Sequence, residues 1–257
     1  MAEVIKVALI QTELIWQDPQ ANRQHISGLL NSLSDKVDLI ILPEMFTTGF
    51  TMNPEQIPKD QEDKTVSWMS EWAGRKKSAV AGSIIANQGG KYYNRFYFVT
   101  PDGERRTYDK RHTFTLAGED KIFTRGTDRL VIPYLGFKIC PMICYDLRFP
   151  VWSRNTDDFD VLIYAANWPS ARVEAWDILL KARAIENMVY CIGVNRIGSD
   201  ENGLLYAGHS AVYDSLGEAL VFSDKDEILL AELDKNHLET TREQLKFLQD
   251  RDSFNLQ

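Results

Sequence analysis

Three residue types that together can run a covalent acyl transfer each follow an apolar run in this chain. Glu44 closes DLIILPE (38–44), Lys110 follows Tyr108 and Asp109, and Cys144 closes FKICPMIC (137–144), with Tyr145 and Asp146 next. In an α/β protein, reactive groups gather at strand ends, where a rigid sheet holds them and loops leave room for substrate. A deprotonated thiol is the nucleophile, a carboxylate can take its proton, and an ammonium can steady a developing oxyanion. A lone Cys behind a strand is ordinarily a small buried hydrophobe. That reading suits Cys140 and Cys191, which lie inside apolar runs, whereas Cys144 stands at the end of its run beside polar neighbours. Met45 and Phe46 follow Glu44, so a partly desolvated carboxylate is expected there. Lys110 sits in Lys-Arg-His, which alone reads as a solvated basic turn.

The elements that must position these groups follow from periodicity. Alternation over Glu3–Gln11 predicts a strand. Asp18 and Pro19 read as N-cap and first helical residue, and Ile26, Leu29, Leu30 and Leu33 follow at helical spacing. Val37–Leu42 reads as a second strand and Asp63–Lys77 as a second helix. Strands are expected at Ala79–Ala86, Tyr93–Thr100, Thr107–Lys110, Leu130–Pro133, Phe137–Ile143 and Phe159–Ala166. A helix over Arg172–Asn187 precedes strands at Val189–Val194, Ser210–Tyr213, Ala219–Phe222 and Glu227–Leu233, and Asn236–Gln249 is a closing helix. No linker, repeat or low-complexity stretch divides residues 1–257, which read as one domain. Early strand–helix alternation implies parallel units, and the strand-rich remainder implies a partly antiparallel second sheet. The simplest arrangement is of mixed α/β class: two sheets face to face with helices outside, a four-layer α-β-β-α sandwich.

Bulk properties narrow the function. A chain of 257 residues can bury a full core, and 44% hydrophobic with 26% charged residues is ordinary for a globular enzyme. The formal charge of −8 argues against a nucleic-acid binder. No apolar run reaches the roughly 18 residues of a membrane helix, so no membrane partner is expected. The N-terminus shows no signal-peptide pattern. Three cysteines without a secretion signal point to free thiols in a reducing cytoplasm. On one strand Cys140 and Cys144 would lie about 13 Å apart, beyond the roughly 7 Å a disulfide spans. Four histidines, with no Cys-x-x-Cys or His-x-x-x-His pair, give no metal site, and no cofactor is expected.

Taken together, the three motifs resemble the nitrilase, or carbon–nitrogen hydrolase, superfamily, which carries a Glu-Lys-Cys triad in this chain order. The matching segments are Leu42-Pro43-Glu44, Tyr108–His112 and Ile143–Pro150; Ala166–Pro169 and Arg183–Asn187 extend the likeness along nearly the whole chain. The run Tyr145–Asn155 followed by Ala166–Pro169 is similar to the bacterial omega-amidase branch, whose members hydrolyse 2-oxoglutaramate and 2-oxosuccinamate. The resemblance implies the sandwich fold of the nitrilase type, a small-molecule amide substrate and a homodimer paired through helices near the Cys loop. It implies that Cys144 is the nucleophile and Glu44 the general acid/base. Lys110 would lower the thiol pKa and, with the backbone N–H of Tyr145, hold the oxyanion. Glu119 matches a second family Glu that positions Lys110 or the substrate amide. The neighbouring alternatives are a carbamoylase, an aliphatic amidase or a nitrilase; the alternative of another class is a catalytically silent binding protein on the same fold.

An omega-amidase must also hold the carboxylate at the far end of its substrate, a task suited to a planar guanidinium. Arg148, Arg172 and Arg196 are candidates, with Arg172 favoured because it follows the Asn167-Trp168-Pro169 loop. Arg148 has the alternative task of holding the Cys loop through Asp146 or another acid. Arg183, inside a helical run with Glu186, is expected to form an internal ion pair. Tyr145, Trp168 and Phe46 are candidate pocket walls, Trp168 and Phe46 equally candidates for the core.

Overall fold

The computed structural model describes residues 4–255, so Glu3, the first residue of the expected opening strand, lies outside it. The first half runs β1 (Val4–Gln11), α1 (Pro19–Ser32), β2 (Leu39–Ile41), α2 (Gln61–Lys76), β3 (Ala79–Gln88), β4 (Lys91–Val99), β5 (Arg105–Asp109) and α3 (Glu119–Ile122). The second runs β6 (Ile132–Tyr134), β7 (Phe137–Ile143), β8 (Val161–Ala166), α4 (Val173–Asn187), β9 (Tyr190–Asn195), β10 (Ile197–Ser199), β11 (Leu205–Ala207), β12 (Ser210–Tyr213), β13 (Ala219–Ser223), β14 (Glu227–Asp234) and α5 (Lys235–Leu245). One six-stranded sheet has the order β14-β1-β2-β3-β4-β5 and the other β13-β12-β9-β8-β7-β6. Each has a parallel centre, β1-β2-β3 and β7-β8-β9, flanked by antiparallel strands.

Strand β1 shows why the layers stack. Val7 and Leu9 enter the core between the sheets, with Phe96 and Phe98 of β4 and Ile139 and Ile143 of β7. Ala8 and Ile10, on its other face, pack with Ile26 and Leu30 of α1 and with Val66, Met69 and Trp72 of α2. A strand apolar on both faces needs cover on both, and Trp176, Leu180 and Ala184 of α4 supply it for the second sheet. Asp18 caps α1 by accepting from the Ala21 amide at 2.9 Å, with Pro19 as the first helical residue. The expected α-β-β-α arrangement is the one observed.

The differences are local. The final helix breaks at Lys246, whose φ of +55° ends α5, and a short 3-10 turn takes over. The β10–β11 ribbon, not expected from sequence, is two three-residue strands joined through a turn. There the Asp200 carboxylate accepts from the amides of Asn202 and Leu204. Strands that short carry no measurable alternation, and only the Asp-Glu-Asn-Gly turn (200–203) announced them.

Gly126 ties the fold to the Lys110 segment. Its amide donates to the Lys110 carbonyl at 2.9 Å, and a Cβ there would stand 2.1 Å from the backbone oxygen of Asp109. Gly126→Ala should therefore force backbone apart at the end of β5 and lower stability by about 1–3 kcal/mol, the usual scale of overpacking. Urea denaturation with an unchanged midpoint would show that the contact is not tight.

Candidate active site

Each expected catalytic group stands where a strand gives way to a loop. Cys144 directly follows β7 with a φ of +42° and begins a 3-10 turn through Arg148. Left-handed backbone at a non-glycine residue is strained, and strain of this kind gathers at functional sites. The turn is held by the buried Asp146 carboxylate, which accepts from the Ile143 amide at 3.0 Å, the Tyr108 hydroxyl at 2.7 Å and the His112 amide at 2.9 Å. Tyr108 and His112 flank Lys110, so one carboxylate couples the Lys segment to the Cys turn. A second left-handed residue, Met45 (φ +43°), follows Glu44, and its amide donates to the Ser83 hydroxyl at 2.9 Å.

Glu44, Lys110 and Glu119 converge with almost no solvent contact: Glu44 and Glu119 are 0% exposed and Lys110 1%. The Lys110 ammonium donates to Glu44 Oε1 at 2.8 Å and to Glu119 Oε1 and Oε2 at 3.1 and 2.9 Å. The solvated basic turn that the local sequence implies is thus corrected: the backbone bond from the Lys110 amide to the Asn94 carbonyl turns this side chain inward. Burial by itself would depress the ammonium pKa, but the charges of Glu119, Glu44 and Cys144 hold it above its ordinary value. Burial, and then the neighbouring Glu44 charge, raise Glu119 despite the pull of Lys110.

The Cys144 thiol is pushed well above its ordinary pKa, first by burial and then by the charge of Glu44; Lys110 acts in the opposite direction. The expectation that Lys110 lowers the thiol pKa therefore holds only as a partial effect. Cys144 therefore rests as a neutral thiol. Cys140 and Cys191 are buried free thiols, both raised by desolvation, Cys140 to about 12.

Two residues that sequence reasoning gave no role complete the cluster. Asn94, buried in β4, donates from Nδ2 to Glu44 Oε1 at 2.8 Å and to Glu119 Oε1 at 3.2 Å, and its side-chain Oδ1 accepts from the Ser83 hydroxyl at 2.9 Å. A lone amide in the aromatic run YYNRFYF (92–98) was the available signal. Asn167, noted only within a motif, donates from its backbone amide to Glu44 Oε2 at 2.9 Å and from Nδ2 to the Glu44 carbonyl at 2.5 Å.

A cavity of about 300 Å³ opens on this cluster, walled by Cys144, Lys110, Tyr145, Asn167 and Trp168 and by Arg148 and Arg172. Glu119 is not part of its wall; its carboxylate bonds go to Lys110, Asn94 and the Phe114 amide. Arg148 lies over the Trp168 ring at 4.9 Å and Arg172 over Phe114 at 5.3 Å. No carboxylate among the described residues pairs with either guanidinium. Asp146 is bonded elsewhere, so Arg148 does not hold the loop through it.

Arg196 is corrected to a structural role: it is 1% exposed and donates to the carbonyls of Leu14, Ile197 and Ser199. Phe46 is likewise core rather than pocket wall, packed 5.9 Å from the Trp68 ring on the α2 side of its sheet. Trp168 serves both cavity and core. Arg183 forms the expected ion pair with Glu186 at 2.9 Å and also donates to the Leu147 carbonyl in the Cys turn. Among the described residues no three His, Cys, Asp or Glu side chains converge as metal ligands.

This fold is that of a carbon–nitrogen hydrolase. The family model for carbon-nitrogen hydrolases matches residues 6–243, and the chain belongs to that family. It is 44% identical to the omega-amidase YafV of Yersinia enterocolitica, over 97% of this chain and 98% of that one. It is 30% identical to the 2-oxoglutaramate amidase of Bacillus subtilis, over 95% and 96% of the two chains. Among solved structures, a CN-hydrolase superfamily protein of Xanthomonas campestris with an arsenic adduct in its active site superposes with a TM-score of 0.96 at 38% identity, covering both chains completely.

The electrostatics predict opposite changes in two properties of one variant. Removing the Glu44 charge should let Lys110 draw the Cys144 pKa down, so Glu44→Gln should alkylate faster with iodoacetamide at neutral pH. Its kcat should fall at least 10²-fold for want of a general base. Mass spectrometry of the Cys144 peptide reads the first effect; slower labelling in Glu44→Gln would contradict the assigned coupling.

Proposed function

We propose that this protein is an omega-amidase that hydrolyses the terminal amide of 2-oxo dicarboxylic acid monoamides, 2-oxoglutaramate and 2-oxosuccinamate, to the 2-oxo acid and ammonia. The observation that carries the reading is the composition of the cavity wall. Cys144 and Lys110 line the same space as two guanidiniums that have no carboxylate partner among the described residues. Such a cavity suits a substrate with a scissile amide at one end and a carboxylate at the other. The names of the similar proteins from Yersinia enterocolitica and Bacillus subtilis support it.

The proposed mechanism uses the cluster as it stands. Cys144 Sγ attacks the amide carbon while its proton passes to Glu44, and the carbonyl oxygen becomes an oxyanion. Lys110 keeps its proton throughout, because its two carboxylate neighbours favour the charged form. It stabilises the oxyanion together with the Tyr145 backbone N–H. As the intermediate collapses, the C–N bond breaks and Glu44 returns the proton to nitrogen, releasing ammonia and leaving a thioester. Glu44 next deprotonates a water that attacks the thioester; the C–S bond breaks and the proton goes back to sulfur. Glu119 acts through Lys110 in this scheme. A homodimer fits the exposed apolar residues Ile178 and Ile185 of α4 and the neighbouring Leu216, and the free thiols fit a cytoplasmic setting.

Side-by-side ammonia release from 2-oxoglutaramate, an N-carbamoyl amino acid, a simple aliphatic amide and a nitrile tests the substrate class; preference for any of the last three would displace this reading. Cys144→Ala should abolish turnover, while Cys140→Ala and Cys191→Ala should retain most of it. Arg172→Ala should lower kcat/KM for 2-oxoglutaramate by about 2 kcal/mol, the scale of a charge-assisted hydrogen bond. It should change a neutral amide of similar length far less. A specificity ratio unchanged in Arg172→Ala but collapsed in Arg148→Ala would move the carboxylate site to the Cys turn.

A further inference from the structure

Phe114 stands between the arginine side of the cavity and its reacting end. It lies on the loop from β5 to α3, half-buried, and lines the cavity together with Arg172, Tyr145 and Lys110. The Arg172 guanidinium lies over its ring at 5.3 Å. The Tyr145 ring packs against it at 4.9 Å, inclined by 62°. Both backbone groups of Phe114 are bonded to Glu119: its amide donates to Glu119 Oε2 at 2.5 Å, and its carbonyl accepts from the Glu119 amide at 3.2 Å. The same Glu119 oxygen accepts from Lys110 at 2.9 Å. The backbone of Arg172 is set separately, because Trp168 Nε1 donates to its carbonyl at 2.7 Å. Phe114 thus touches a guanidinium, the residue whose backbone N–H serves the oxyanion in the proposed mechanism, and the carboxylate that holds Lys110.

We propose that Phe114 is a positioning residue that couples recognition of the substrate's far carboxylate to stabilisation of the oxyanion. The inference rests on the omega-amidase reading above, with Arg172 as the partner of that carboxylate, and deepens it. Stacking on a ring occupies the face of a guanidinium and leaves its in-plane N–H groups for a carboxylate. A carboxylate paired there seats the guanidinium on Phe114. The seated ring then fixes Tyr145 on one side and, through its own backbone, Glu119 and Lys110 on the other. Both oxyanion donors are held where charge develops. Binding energy from the unreactive end of the substrate is realised in the transition state, so the carboxylate raises kcat as well as affinity. An amide of the same length without the carboxylate leaves Arg172 unpaired and the donors less fixed.

The test measures kcat and KM separately for 2-oxoglutaramate and for 4-oxopentanamide, in which a methyl group replaces the carboxylate. In the wild-type enzyme kcat for 2-oxoglutaramate should be higher by about tenfold, within the usual range of coupling between two sites, and its KM should be lower. Phe114→Leu should bring the two kcat values together while the KM ratio stays, since Arg172 still meets the carboxylate. Phe114→Tyr, which keeps the ring, should keep both ratios. General damage to the loop lowers both kcat values alike, so an unchanged kcat ratio in Phe114→Leu overturns the proposal, as does the same collapse in Phe114→Tyr. Collapse of the KM ratio along with the kcat ratio makes Phe114 a support for Arg172 only and also overturns it. If Phe114→Leu does not fold, the wild-type pair decides: equal kcat values, with the preference confined to KM, overturn the proposal. Wild-type enzyme without any kcat/KM preference for 2-oxoglutaramate, or Arg172→Ala that keeps both ratios, would instead count against the reading on which the proposal rests.

Discussion

The structure depends on one buried ammonium. Taking Lys110 out of water costs several kcal/mol, and it is offset only because two carboxylates approach within hydrogen-bond distance from different segments. Glu44 arrives from the end of β2, Glu119 from the start of α3 and Lys110 from the end of β5. Their mutual attraction holds three loops in one arrangement, and the proposed mechanism uses the same charge to steady an oxyanion. Burial first, and then the negative charge of Glu44, keep the Cys144 thiol protonated, against the opposing pull of Lys110.

Neutral polar groups make that arrangement rigid. Asn94 bridges both carboxylates while Ser83 fixes its orientation, and Ser83 contacts the strained Met45 turn. Asp146 does the equivalent for the Cys144 turn, joining it to Tyr108 and His112 on either side of Lys110. Arg183 adds a tie from α4 through the Leu147 carbonyl. The arginine side of the cavity is built differently: Arg148 and Arg172 lie over aromatic rings, preoriented by cation–π contact.

Much of this was legible in residue order. The strands of both sheets read from alternation and apolar runs, and Asp18-Pro19 announced α1 to the residue. Glu44, Lys110 and Cys144 came from motif order and flanks and Glu119 from the family resemblance; Glu44, Lys110 and Glu119 bond one another, and Cys144 shares the cavity wall with Lys110. What sequence could not supply was long-range polar pairing. Asn94 joins Glu44 across fifty positions and Asn167 across more than a hundred, and nothing local marks such partners. Burial reversed two readings. The Lys-Arg-His run alone read as solvated, though its motif pointed to the site, and Arg196, a candidate for the substrate carboxylate, is claimed by three backbone carbonyls. The short ribbon β10–β11, which carries Asp200 and Tyr206 to the cavity, was too brief to show a period.

The central claim is that catalysis passes through a covalent acyl group on Cys144. Rapid-quench mass spectrometry during turnover of 2-oxoglutaramate tests it most directly. The account predicts an acyl adduct on the peptide that carries Cys144, formed before steady state and cleared as substrate runs out. Turnover at an undiminished rate with no adduct at any quench time, or with the adduct on Cys140 or Cys191, would contradict it.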